Sequence, residues 1–151
     1  MAQRLRAYFD DHGVAYRIIA HKAAASADEY HDVLGTRYAQ MPKAIFLRYQ
    51  DKDGKRFAIL ALQAHKRADL HRVGRLLNVR DVRLGSRDEL RDVTGCEFGE
   101  LPPVGRLFGL PLLLDQDLLL EDLLYFNAGS LTESMVVRAR ALQALEQPIR
   151  Y

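Results

Sequence analysis

The chain reads as a single α+β domain, and three features of its sequence predict this. Two apolar runs, KAIFLRY (43–49) and RFAILAL (56–62), flank QDKDGK, where Asp53-Gly54 marks a hairpin turn. Ser26 and Ser86 each stand three residues before a glutamate, Glu29 and Glu89, the capping-box signature of a helix start. A length of 151 residues with 48% hydrophobic side chains suits one domain with one core, and no repeat, linker or low-complexity segment divides it.

Leu5, Tyr8 and Phe9 recur at helical spacing, and Gly13 closes that first helix as a C-terminal cap. VAYRII (14–19) then predicts a short strand. Ser26 to Leu34 is predicted helical and ends at Gly35. The hairpin follows, and Leu70, Val73, Leu76 and Leu77 mark an amphipathic helix. The helix begun at Ser86 stops near Gly95. Strands are predicted at 110–114, 123–127 and 131–137, and a short helix through Leu142 and Leu145 finishes the chain.

Composition excludes several classes. The most apolar passage, LPLLLDQDLLLEDLLYF (110–126), is interrupted by Asp115, Asp117, Glu121 and Asp122, so it cannot be a membrane span. The N-terminus lacks the apolar centre of a signal peptide, and the single cysteine, Cys96, forms no internal disulfide. Both features predict a cytoplasmic protein. Net charge is +2, but it is unevenly spread. Residues 66–91 carry eight Lys or Arg against four acids, while 97–122 carry six acids against Arg106 alone. Solvated faces with internal ion pairs account for this, as does a modest footprint for a polyanion. Seventeen arginines against five lysines favour forked contacts with phosphate or carboxylate.

No phosphate-binding GxxxxGK[ST], HExxH or CxxC occurs, and the five histidines (12, 21, 31, 65 and 71) lack tight ligand spacing. Neither metal nor cofactor is therefore expected. Cys96 has no activating base nearby in sequence and reads as a packing residue. Lys43 follows Met41-Pro42 and leads an apolar strand, which puts its ammonium at the rim of a sheet. From spacing alone it is either a snorkelling edge lysine or part of a cleft. GCEFGELPPVGRLFG (95–109) is too apolar for an idle loop and too broken for a helix. It is either a rigid structural connection or a preorganised site.

A resemblance decides between these readings. PKAIFLR, FAILAL, TGCEFGELPPVG, LLLDQDLL and FNAGSLTESMVVR arrive in the order and spacing of the YbaK family, also called the prolyl-tRNA synthetase associated or editing domain family. The similarity covers about residues 12–146. It implies a mixed, mostly antiparallel curved sheet packed with helices. It also implies a trans-acting aminoacyl-tRNA deacylase that hydrolyses a small amino acid wrongly esterified to tRNA, without metal or cofactor. The family's essential lysine falls on Lys43 and its GxxxP loop on Gly99 to Pro103, so Lys43 and Gly99 are the expected catalytic positions. His21, Gly95, Pro102, Pro103, Gly129 and Ser130 are the expected substrate-binding positions. Several members of the family place a tyrosine where this chain has Ile19-Ala20-His21, so the amino acid specificity does not carry over. The implied partner is the 3′ acceptor end of aminoacyl-tRNA, with an aminoacyl-tRNA synthetase as a further candidate. Neither membrane nor DNA is expected.

In that reading Gly99 lets the main chain approach a ligand, and Pro102 and Pro103 stiffen the loop so that backbone groups are preorganised for the developing oxyanion. Two other classes fit the same residues. One is a non-catalytic module that binds an amino acid or a tRNA end; the other is a synthetase-partner protein using the acidic 97–122 segment.

Overall fold

The computed structural model describes residues 1–151. Five α-helices form: α1 (Ala2–Asp11), α2 (Ala27–Leu34), α3 (Leu70–Leu77), α4 (Arg87–Thr94) and α5 (Ala139–Glu146). Eight strands join them: β1 (Arg17–Ala20), β2 (Pro42–Asp51), β3 (Gly54–Gln63), β4 (Arg80–Leu84), β5 (Leu112–Leu114), β6 (Leu123–Asn127), β7 (Glu133–Arg138) and β8 (Ile149–Arg150).

The α+β class is as predicted. The strands form two hydrogen-bonded sheets, a three-stranded one ordered β1-β7-β6 and a five-stranded one ordered β4-β2-β3-β5-β8. Pairing is antiparallel between β1 and β7, β6 and β7, β2 and β3, and β2 and β4; only β3–β5 and β5–β8 are parallel.

The β2–β3 hairpin runs in unbroken register from Pro42 opposite Gln63 to Asp51 opposite Gly54. Its turn is Lys52-Asp53, followed by Gly54 at φ 114, a backbone conformation that only glycine adopts easily. The predicted serine caps form, with a full reciprocal box at Ser86 and only the serine half of one at Ser26. Ser26 Oγ accepts from the Glu29 N–H, and Ser86 Oγ accepts from Glu89, whose carboxylate accepts from the Ser86 N–H in return. Gly35 and Gly95 end α2 and α4 in the left-handed conformation. Gly13 takes that conformation too, one residue beyond the C-cap His12 of α1.

Strand β3 explains why the protein has two apolar clusters. Successive side chains of a strand point to opposite faces. Ile59 and Ala61 therefore enter the main core with Leu5, Phe9, Leu124, Met135 and Leu142. Ala58, Leu60 and Leu62 enter a second cluster with Val73 of α3, Leu113 and Tyr151. A strand buried on both faces reads as a continuous apolar run, as RFAILAL does.

β4 was not foreseen. Its sequence, RDVRL, is mostly exposed, and it pairs with β2 across an irregularity between Arg48 and Gln50. A charged, short, irregular edge strand protects a sheet from adding further strands, and the same charges erase the alternating pattern that would reveal it. β8 is only two residues long and is placed by parallel pairing with β5.

Candidate active site

Lys43 and Gly99, 56 positions apart in the chain, line one cavity of about 240 Å3. Its wall includes Ala25, Ser26, Ala27 and Tyr30 from the start of α2, Met41, Pro42 and Ala44 beside Lys43, Leu101 after Gly99, and Tyr125, Phe126 and Asn127 from β6.

Lys43 stands at the open end of the hairpin, paired with Leu62, and is half-buried. Burial lowers its pKa below the ordinary lysine value, and the Arg67 guanidinium lowers it further. No carboxylate offsets either effect. Lys55 and Lys66, by contrast, are tied to Glu89 and to Asp115 and Asp117. An ammonium held in a cavity without an acid is available to an incoming carbonyl or phosphate oxygen.

The first turn of α2 adds donors. Ser26 Oγ takes the Glu29 N–H, and Glu29 takes the Ala25 N–H at 2.7 Å. The N–H groups of Ala27 and Asp28 have no acceptor within the chain. Tyr30 Oη donates only a long hydrogen bond, 3.5 Å, to the Ser130 carbonyl. Burial, with Glu100 and Glu29 nearby, pushes its pKa up to about 12, so the hydroxyl keeps its proton at neutral pH. The cavity lining includes no Asp, Glu or His.

The GCEFGELPPVGRLFG loop is stiffer than its composition alone shows. Leu101 to Gly105 are buried. The Leu101 carbonyl accepts from Asn127 Nδ2 at 3.0 Å, while Asn127 Oδ1 accepts from the Gly129 N–H at 3.0 Å. One amide thus joins the loop to the Gly129-Ser130 turn. The buried carboxylate of Glu146 accepts from the N–H groups of Gly105 (2.7 Å) and Arg106 (3.1 Å) and from the Tyr8 hydroxyl.

Gly99 has φ 84, and a Cβ there would lie 3.2 Å from Ala25 Cβ, Ala25 O and Leu131 Cδ2. Its bareness therefore also serves packing within the chain. Gly99 lets the loop close on the segment leading into α2, at the cavity it lines with Lys43.

The remaining expected positions do not line the cavity. Gly95 is the left-handed cap of α4 with open space around it. Pro102 and Pro103 are buried within the loop. Gly129, at φ 79, leaves room for Met1 and Ala2, and Ser130 Oγ accepts from the Thr132 N–H at 3.1 Å. His21 Nδ1 lies 2.6 Å from the Lys22 carbonyl and Nε2 lies 2.8 Å from the buried Ser134 hydroxyl. Its ring meets Tyr30 edge-on at 5.6 Å, so His21 backs the cavity wall from behind.

Tyr30, Asn127 and the α2 N-terminus were missed from sequence. Asn127 lay within the FNAGS segment, the only signal that could have singled it out.

Cys96 is fully buried and burial raises its thiol pKa, the opposite of an activated nucleophile. No group of three or more His, Cys, Asp or Glu side chains is placed to hold a metal ion. No helix is long and apolar enough to cross a membrane.

The segmental charges resolve into two patterns. Five of the six acids in 97–122 are paired inside the chain: Glu97 with Arg87 and Arg91, Asp115 and Asp117 with Lys66, Glu121 with Arg37, and Asp122 with Arg138. Arg75, Arg80 and Arg83 instead line a separate wide groove between α3 and β4, at the far end of β2 from Lys43.

Residues 21–145 match the aminoacyl-tRNA editing domain family. The chain belongs to that family, and it is an aminoacyl-tRNA deacylase, a hydrolase of the aminoacyl-tRNA ester. It is 29% identical over 151 residues to the multifunctional Ser/Thr-tRNA deacylase ProXp-y of Escherichia coli K12, covering 97% of this chain and 88% of that one. The same protein of Escherichia coli O157:H7 matches equally. Among solved structures, a candidate trans-editing enzyme for prolyl tRNA synthetase superposes with a TM-score of 0.85 at 24% identity, over 99% of this chain and 94% of that one. The protein APE2540 superposes at 0.86 with 19% identity, over 97% and 96%. These two likenesses speak to the fold.

Proposed function

We propose that the Lys43 cavity is the ester site, and that it takes tRNA mischarged with a small amino acid such as serine, threonine or alanine. The observation that carries this is the meeting of an acid-free lysine, Gly99 and Ala27, whose N–H is unpaired at the start of α2, on one small cavity. The Ser/Thr-tRNA deacylase relative supports the choice of amino acid. Met41, Pro42, Ala44, Ala64 and Leu101 make much of the wall apolar and limit its size. Exclusion by size is how such a pocket rejects a bulkier, correctly charged residue.

Lys43 and the α2 N–H groups hold the ester carbonyl and stabilise the negative charge that develops on its oxygen as water adds. One donor of this kind is worth roughly 3 kcal/mol of barrier. Tyr30 supplies a further donor. Because the lining offers no carboxylate or imidazole, the proton of the attacking water passes to the substrate, ending on the ribose oxygen that leaves. The products are the free amino acid and the tRNA 3′ hydroxyl. The reaction belongs to the cytoplasm, where charged tRNA is used. Action beside a synthetase is compatible with this site, although the acidic 97–122 segment spends most of its carboxylates internally.

The test is a deacylation screen of the purified protein and its Lys43→Ala variant against a panel of aminoacylated tRNAs. Turnover of small residues that vanishes in the folded variant is expected. Equal rates for both proteins would remove Lys43 from the site, and binding without turnover would make this a sensing module.

A further inference from the structure

We infer that the apolar groove beside the Lys43 cavity, walled by Phe98 and Leu84, seats the terminal adenine of the charged tRNA by stacking on Phe98. This rests on the reading of the Lys43 cavity as the ester site.

The groove encloses about 260 Å3 and shares Ala44, Gly99 and Leu101 with the ester cavity, so the two are compartments of one trench. Exposed large apolar side chains are few in this protein, and two of them flank the groove: Phe98 at 59% and Leu84 at 63% exposure. Phe98 also departs from its surroundings, because Leu101 to Gly105 in the same loop turn inward. The Arg87 guanidinium lies 5.7 Å from the Phe98 ring centroid, and Glu97 pairs with it at 3.5 Å, so the ring is steadied without adding net charge. The floor is rigid. Phe46 packs so closely over Gly85 that a Cβ there would fall 2.2 Å from its ring, and its other neighbour is Phe57, stacked at 5.1 Å.

The chemistry of the lining selects the occupant. It contains no charged and no hydrogen-bonding side chain, which fits neither a phosphate nor the amino group of an aminoacyl moiety. A nucleobase presents broad faces that stack on an aromatic ring and require no edge contacts. The adenine is joined to the ribose that carries the ester, so it must lie one sugar ring from the carbonyl that Lys43 holds. A compartment sharing three wall residues with the ester cavity adjoins it directly.

The experiment compares two small substrates, 3′-O-seryl-adenosine and serine methyl ester, which differ in the nucleoside. Wild type, Phe98→Ala, Phe98→Tyr and Lys43→Ala are assayed on both. Base–aromatic stacking corresponds to roughly a 5- to 150-fold effect, so Phe98→Ala should raise KM for seryl-adenosine about tenfold. It should leave methyl ester kinetics unchanged, and Phe98→Tyr should restore the wild-type value. A Phe98→Ala effect equal on both substrates, or absent from both, overturns the inference. If Lys43→Ala leaves both substrates untouched, the ester-site reading fails instead.

Binding is read separately by titrating adenosine monophosphate and following the amide resonances of Leu84, Gly85 and Phe98. Saturable shifts that vanish in Phe98→Ala support the groove, and their absence overturns it. Sedimentation showing that Phe98→Ala dissociates a dimer, with no nucleotide effect, assigns the groove to a second copy and overturns the inference as well.

Discussion

Replacing Lys43 by methionine should move stability and activity in opposite directions. Methionine keeps a similar length and an apolar stem but removes the charge. In the folded protein that charge is half-buried beside Arg67 with no carboxylate to offset it, and its pKa is lowered by burial first and by Arg67 second. A lysine whose folded pKa lies below its unfolded value binds its proton more weakly in the folded state. Its penalty is therefore complete below the folded pKa and disappears above the unfolded one, so wild-type stability rises with pH through that alkaline interval. Lys43→Met should accordingly melt at or above the wild-type temperature at pH 7, and the difference should close near the top of the lysine range. Catalysis should suffer. Loss of one charge-assisted donor to the ester is worth about 1.5–3 kcal/mol, and an oxyanion-type role would bring the loss to roughly 100-fold or more in rate. Lys43→Arg, which keeps the charge but changes its shape, should recover part of that rate. The assays are thermal melts between neutral and alkaline pH, alongside deacylation of a seryl-tRNA. A Lys43→Met variant that loses stability and activity together would refute the reasoning, because it would make Lys43 a packing residue.

Three further outcomes follow from the structure. Gly99→Val should lower both melting temperature and activity, since a left-handed φ of 84 costs a side chain about 1–2 kcal/mol and contacts at 3.2 Å push Ala25 and α2 away; a stable and fully active variant would show that the loop does not set the cavity. Asp115 is buried, which raises its pKa, but Lys66 and the N–H groups of Gln63 and Asp117 outweigh that and bring it below the usual carboxylate range. Its stability contribution is present above the unfolded pKa and lost as pH falls through the folded one, so Asp115→Ala should cost roughly 2–3 kcal/mol at pH 7 and flatten the acid limb of a melting profile; an unchanged limb would contradict this. Deacylation of full-length tRNA should lose affinity with salt at a slope near −2, as two or three single-strand phosphate contacts imply, with Arg75→Ala mild; a slope steeper than about −5 would reveal extensive duplex contact through the Arg75, Arg80 and Arg83 groove.

Most of the local structure was legible in the sequence. Hairpin β2–β3, the starts of α2 and α4, their glycine stops and strand β6 all rest on signals a few residues apart: a turn dipeptide, a serine with a glutamate three positions later, or an apolar run. Such signals act through the backbone of their own segment, so they survive without knowledge of the rest. Lys43 and Gly99, which line one cavity, were singled out only because the order of several weak motifs resembled a family. Spacing alone left Lys43 as either a snorkelling edge lysine or part of a cleft.

What the tertiary structure decided involves partners far apart in the chain. Glu146 steadies Gly105 from 41 positions away, and Asn127 holds Leu101 from 26. Tyr30 and Ala27 come to share a cavity with Lys43 only after the sheets have packed, and Phe98 becomes an exposed wall only because its neighbours turn inward. None of these leaves a periodic trace, since each is one side chain meeting another element. The amino-acid sequence by itself determined which segments become helices and strands and where they stop, because those choices are settled within a few residues. Tertiary packing decided which half-buried lysine goes without a counter-ion, which glycine closes a cavity and which phenylalanine stays in water, because burial and charge compensation depend on everything else the chain brings near.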